Sequence, residues 1–236
     1  MKKWMVVKIF LCVAFILIGA GPALAIPSLQ LDIAGGVYDP VNQTVVATSN
    51  PFTLYAYLIP DSFTPLAGTY YVSAALLPST SAPGDLGSFV FDGTSYNVTA
   101  DLIFGTPPAD AALDDLASHG VFQTYYREFA FTFDSANKAI PYEMNANPGS
   151  SPTPVPLGYT GTIMYYESFD VSTLLASGYQ LHFDLYYPTT NAAGKPVTYF
   201  APFSHDASSQ VPIPAAAWLL SSGLIGLLAV RRRFHK

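Results

Sequence analysis

The chain has 236 residues, of which 50% are hydrophobic and 11% charged, with a formal net charge of −6 at pH 7. Only three basic residues, Arg127, Lys138 and Lys195, lie between residues 26 and 208, the span that holds all 16 acidic residues, so this span repels nucleic acid and anionic lipid head groups. The single cysteine, Cys12, precedes it, which leaves the span without disulfides, thiol nucleophiles or thiolate metal sites.

Residues 1–25 read as a signal peptide. Lys2, Lys3 and Lys8 form a basic start, Ile9 to Ala20 an apolar core, and Gly21-Pro22 breaks the helix before Ala23-Leu24-Ala25, a small-x-small site for signal peptidase. Cys12 sits within the apolar core after Ile9-Phe10-Leu11, which lacks the small residue that a lipoprotein site needs.

Residues 26–208 are long enough for one domain with its own core. Their apolar residues recur with period two in many places and with period 3.6 in almost none, which predicts antiparallel strands. Leu29–Ile33 and Thr44–Ala47 are strands around an Ala-Gly-Gly kink and an Asp39-Pro40-Val41-Asn42 turn. Phe52–Ile59 and Tyr70–Leu77 are apolar on both faces, as in strands inside a layered structure. Ser88–Phe91, Asp92-Gly93 and Thr94–Thr99 form a hairpin, because a two-residue turn of this type needs positive φ, which Asp and Gly tolerate.

Ala109 to His119 is the one predicted helix, with Asp110 near its cap, an apolar stripe of Ala112, Leu113, Leu116 and Ala117, and Gly120 to close it. Glu128–Phe133 places three phenylalanines on one strand face. Asn145 to Pro156 is a mobile loop by composition. Ile163–Phe169 and Val197–Phe200 are further strands. Leu181–Tyr187 alternates Leu, Phe, Leu and Tyr with His182, Asp184 and Tyr186, so His182 and Asp184 are expected on a solvated outer face. Eight to ten strands with few helices predict an all-β antiparallel sandwich of jelly-roll kind.

Residues 209–236 form a separate segment. Val211-Pro212-Ile213-Pro214 leads into Ala215 to Val230, 16 residues without a charge, and then Arg231, Arg232 and Arg233. A helix over 215–230 rises roughly 24 Å, short of the hydrocarbon core unless the bilayer thins or Ile213 is recruited. The arginines act as a stop that keeps the end of the chain in the cytoplasm and the preceding domain outside.

The order of Val211, Pro212, Ile213, Pro214 and Ala215, an apolar helix and an arginine cluster resembles the PEP-CTERM sorting signal of Gram-negative bacteria in its VPLPA-type variant. The resemblance covers Val211 to Lys236 and departs from the Pro-Glu-Pro form. It implies recognition by an exosortase, a membrane-embedded cysteine transpeptidase, after transient anchoring in the inner membrane. Removal of the helix and display at the cell surface or in the matrix would follow, alongside exopolysaccharide production and biofilm. An ordinary tail anchor is the alternative.

A second resemblance lies in the outer domain. Pro27 to Asp39, Asn50 to Ala56, Leu86 to Phe89 and Phe200 to Asp206 are similar to choice-of-anchor bacterial surface proteins of the N type. This implies a shared exported domain and no particular activity.

Chemistry is sparse. His119 suits the negative pole of the predicted helix. His182 and Asp184, about 7 Å apart on one strand face, are a possible ligand or acid–base pair, although a solvated face explains them equally well. Ser204-His205-Asp206 holds the residue types of a hydrolase triad, but consecutive residues do not converge, and there is no Gly-x-Ser-x-Gly elbow. Asp39, Asn42, Asp110, Asp114 and Asp115 offer oxygens to calcium without a specific loop motif, and no cofactor is expected otherwise. Tyr55, Tyr57, Tyr71 and an outward Tyr186 are a candidate platform for sugars. The expectation is an exported structural or adhesive module that is not an enzyme. An exopolysaccharide-binding module is the alternative, and a secreted enzyme of unknown type the third reading.

Overall fold

The computed structural model describes residues 26–209 except Ser118; the signal segment with Ala23 and Ala25, and the sorting segment from Val211 to Arg233, lie outside the described residues. Among the described residues no helix is long and apolar enough to cross a membrane.

The domain is all-β and built from two sheets. One runs β1 (Leu29–Ile33), β4 (Phe52–Leu58), β11 (Met164–Leu175), β6 (Gly87–Phe91) and β7 (Thr94–Asn97), with β10 (Lys138–Ala139) also on β11. The other runs β2 (Val37–Asp39), β3 (Thr44–Val46), β14 (Asp206–Ser208), β12 (Gln180–Thr190), β5 (Tyr70–Leu77), β9 (Thr124–Phe131) and β8 (Ile103–Gly105), with β13 (Pro196–Phe200) also on β12. Every pairing is antiparallel except β3 with β14. Nine of the described strands have four residues or more, and the period-two segments of the sequence fall on them.

Apolar side chains of both sheets meet in one core. Phe91 of β6 stacks on Phe129 of β9 with ring centroids 3.8 Å apart, Phe169 of β11 meets Phe131 of β9 edge-on, and Phe52 of β4 meets Phe183 of β12. These stacked and edge-on rings bury large apolar area. The β6–β7 turn forms as expected, with positive φ at both Asp92 and Gly93.

Three expectations are corrected. The predicted helix over 109–119 does not form. Among the described residues the lone α-helix is the single turn α1 (Val98–Asp101), capped by Asn97 Oδ1 on the amides of Thr99 and Ala100. An isolated segment of 11 residues is a marginal helix, and here the chain gains more by lying irregularly over the second sheet. Leu116 is buried, its amide bonds the Pro107 carbonyl, and the Asp110 carboxylate caps a turn at Ala112. The second correction is that His182 and Asp184 are buried, not solvated, because this same connection covers them.

The third concerns the loop from Asn145 to Pro156, which is irregular but fastened down. Asp32 Oδ1 accepts the amide of Gly149, Gly35 donates to the Gly149 carbonyl, and Pro154 forms a bridge with Ala139.

Candidate metal centre

Strand β12 is two-sided. Leu181, Phe183 and Leu185 enter the core between the sheets, which sends His182, Asp184 and Tyr186 to the outer face. Its antiparallel register with β14, His182 opposite Ser208 and Phe183 opposite Ala207, carries Asp206 to the same outer face beside Asp184. The connection between β8 and β9 then folds across. Thr198 Oγ1 holds the Asp114 carbonyl at 2.6 Å, Val121 and Phe122 pack with Ala75 and Tyr126, and His119 is delivered onto the sheet.

Among the described residues, one cluster brings three or more metal-ligating side chains together: His119, His182, Asp184 and Asp206, with one ligand atom from each and all four within 4.8 Å of one another. His119 Nε2 lies 3.1 Å from both His182 Nε2 and Asp184 Oδ1. His182 Nε2 lies 3.4 Å from Asp184 Oδ1 and 3.6 Å from Asp206 Oδ2. The side chains of His119, His182, Asp184 and Asp206 are 9%, 8%, 3% and 2% exposed, so water screens them little.

The surroundings orient the ligands. His119 Nδ1 lies 3.2 Å from the Ala117 carbonyl, and a carbonyl only accepts, so the proton is on Nδ1 and Nε2 faces the cluster. The His119 ring stacks on Phe203 with centroids 4.4 Å apart. Ser73 Oγ donates to Asp184 Oδ2 at 3.1 Å, turning Oδ1 inward. Asp184 Oδ1 and Asp206 Oδ2 are buried and receive no hydrogen bond.

The electrostatics favour a cation here. Burial works against a charge on His182, but the Asp184 and Asp206 carboxylates outweigh it and raise the group to about 10. Burial, with the Asp184 charge alongside, pushes Asp206 up to about 7. Burial opposes the ionised form of Asp184 too, yet the histidines hold it well below the usual carboxylate range. A cleft of about 390 Å³ lined by Asn42, Gln180, Phe203, His119, His182 and Asp206 reaches the cluster from outside.

Other expected sites fare differently. Asp206 leaves Ser204-His205 for the cluster, and Glu143 takes the third position, with His205 Nε2 2.8 Å from its Oε1 and Nδ1 2.9 Å from Ser204 Oγ. Burial lowers His205, partly countered by Glu143, which favours neutral imidazole. The Glu143 carboxylate also accepts the amides of Asn145 and Ala146, so this trio clasps a turn. The Asp39 carboxylate is likewise engaged by the amide of Val41 and the side chain of Asn42.

The tyrosine platform does not exist as expected. Tyr186 and Tyr57 are buried, and Tyr55 and Tyr71 half-buried.

Sequence reasoning singled out His182 with Asp184 but assigned His119 to a helix end and Asp206 to coincidence. The available signal was the histidine count: only three lie in residues 26–208, and two of them converge here. No protein-family model matches the chain, and no curated protein matches it either.

Proposed function

We propose that the chain is exported, trimmed at both ends, and displayed at the cell surface or in the extracellular matrix of a Gram-negative bacterium as a structural or adhesive module on a jelly-roll-like sandwich. The observation that carries this reading is the pair of targeting-type segments, 1–25 and 209–236, around one acidic, cysteine-free β domain. A domain without disulfides must persist outside the cell by packing, and the phenylalanine-filled core supports that role. Signal peptidase and an exosortase are the processing partners. By sequence, Pro212 and Pro214 oppose a helix through the cleavage segment, which suits a protease site, and the charges of Arg231–Arg233 oppose outward passage of the apolar segment.

The test is intact-mass analysis of surface material. The expected species lacks residues 1–25 and a C-terminal piece of about 22 to 26 residues, from cleavage within or next to Val211–Ala215. A surface form that keeps Arg231–Lys236, or full-length chain in the cytosol, overturns the proposal.

A second reading, exopolysaccharide binding, is favoured by one aromatic pair at the surface, exposed Phe63 beside half-buried Tyr199. Phe63 is 59% exposed and its ring centroid is 5.5 Å from that of Tyr199. Asp61 lies in the cleft on one side and Thr189 with Asn191 on the other, the mixture of ring face and hydrogen-bonding groups that sugars require. A glycan array with a hit that Phe63→Ala abolishes would favour this reading over a purely structural one.

A further inference from the structure

We propose that His119, His182, Asp184 and Asp206 bind one divalent transition-metal ion of the zinc class, which staples the β8–β9 connection to the second sheet. The inference is independent of the export reading.

The first argument is that, with both carboxylates ionised, no placement of protons on the two imidazoles satisfies the four inward atoms. If His119 is neutral, its Nδ1 proton is committed to Ala117, and its bare Nε2 faces Asp184 Oδ1 at 3.1 Å, lone pair against lone pair. If it is protonated and His182 is neutral with a bare Nε2, that nitrogen faces Asp184 Oδ1 at 3.4 Å and Asp206 Oδ2 at 3.6 Å in the same way. If both are protonated, two N–H groups confront each other at 3.1 Å. A single cation at the centre removes every one of these conflicts. It also gives partners to the two buried carboxylate oxygens that receive no hydrogen bond.

The second argument is size and ligand type. Tetrahedral ligands about 2.0–2.1 Å from a zinc ion stand about 3.3–3.4 Å from one another. Four of the six separations, 3.1, 3.1, 3.4 and 3.6 Å, bracket that value before any relaxation, and all six are within 4.8 Å. Calcium requires six to eight oxygens at longer range, and half of this set is imidazole nitrogen, so calcium and magnesium are disfavoured. Two carboxylates neutralise a divalent ion, which suits a site nearly closed to water. The hydrogen bonds from His119 Nδ1 to Ala117 and from Ser73 to Asp184 are the outer contacts that metal ligands use to fix their orientation.

The placement of the ligands predicts what the ion does. Three come from neighbouring strands β12 and β14 on one rigid face, whereas His119 comes from the connection. Binding therefore locks the connection rather than building the sheet.

The experiment uses the full chain purified in mild detergent without chelator, then stripped and titrated with Zn²⁺, Co²⁺ and Ca²⁺ separately. Expected results are one equivalent of zinc, the visible bands of tetrahedral cobalt, a rise of several degrees in Tm with zinc, and none with calcium. His119→Ala, on the connection, should weaken zinc affinity by more than about 100-fold while the far-ultraviolet spectrum stays that of the parent. Asp39→Asn, outside the cluster, should bind as the parent does. Less than a tenth of an equivalent of zinc with no Tm shift, a preference for calcium, or His119→Ala binding unchanged would each overturn the proposal. The cobalt spectrum of the parent protein decides the coordination even where a variant misfolds.

Discussion

Thr198 of β13 donates from Oγ1 to the main-chain carbonyl of Asp114, 2.6 Å away, and so fixes the β8–β9 connection to the sheet it covers. Thr198 is buried and the bond spans 84 residues, so it ties a distant stretch of chain to β13. Thr198→Val keeps the shape of the side chain and removes the donor. The expected cost is about 1–2 kcal/mol in urea unfolding, with faster proteolytic cleavage inside residues 106–123 than elsewhere. Unchanged cleavage of that stretch would show that this contact does not hold the connection.

Ser73 and Asp184 form a second informative pair, because Ser73 lies outside the ligand set yet orients one of its members. Ser73→Ala should lower zinc affinity by about 10- to 100-fold, the usual effect of losing an outer hydrogen bond, while leaving the stoichiometry at one ion. Competition against a metal indicator measures this. An affinity equal to that of the parent would mean that Asp184 needs no such support.

Asp32 gives a dependence on pH at a site remote from the ligands. Burial pushes its carboxyl up to about 6 from 3.8, and hydrogen bonds from Gly149, Tyr142 and Ile33 only partly offset this. The folded state thus holds the proton more tightly than the unfolded one. The stabilisation is complete below about pH 4 and is lost as pH rises through about 6, a swing of about 3 kcal/mol. Asp32→Asn still accepts from the amides of Ile33 and Gly149, and the Tyr142 hydroxyl turns to the Ser150 carbonyl, 3.1 Å away. Its urea midpoint should exceed that of the parent at pH 7, and the gap should close towards pH 4. A gap independent of pH would rule out titration of Asp32 as the cause.

How much of this was legible follows from which periodicity each residue obeys. β1 begins and ends where the alternation of Leu29–Ile33 places it, β5 where the run Tyr70–Leu77, apolar on both faces, places it, and the Asp92-Gly93 turn is fixed by local chemistry. His182 and Asp184 obey the same alternation, which correctly put them on the face away from Phe183. What the alternation cannot contain is a cover supplied by residues more than sixty positions earlier, and that cover reverses their exposure. His119 illustrates the same limit: as a helix-end residue it is a local matter, but its chemistry is set by β12 and β14. The Glu143–His205 contact, 62 residues apart, was equally invisible. The acidic, cysteine-free composition was readable at once because it needs no geometry.

Gly149 offers a contrast with Gly178 that separates clash from backbone preference. Both have positive φ, +75° and +90°, where a side chain costs roughly 1–2 kcal/mol. Around Gly178 an added Cβ meets nothing within 4 Å, whereas at Gly149 it lies 2.3 Å from the Gly36 carbonyl oxygen and 2.7 Å from the Gly36 nitrogen. Those atoms are main chain and cannot rotate away. Moving Gly149 would also break the hydrogen bond its N–H donates to Asp32 Oδ1 and the one its carbonyl accepts from the Gly35 N–H. Gly178→Ala should therefore cost about 1 kcal/mol, and Gly149→Ala at least about 2 kcal/mol more, with the 145–156 loop exchanging amide protons faster. Urea titration of the two variants side by side measures the difference. Equal losses would mean that the loop yields to the new methyl group, and that its contact with the Gly35-Gly36 kink is not what fastens it.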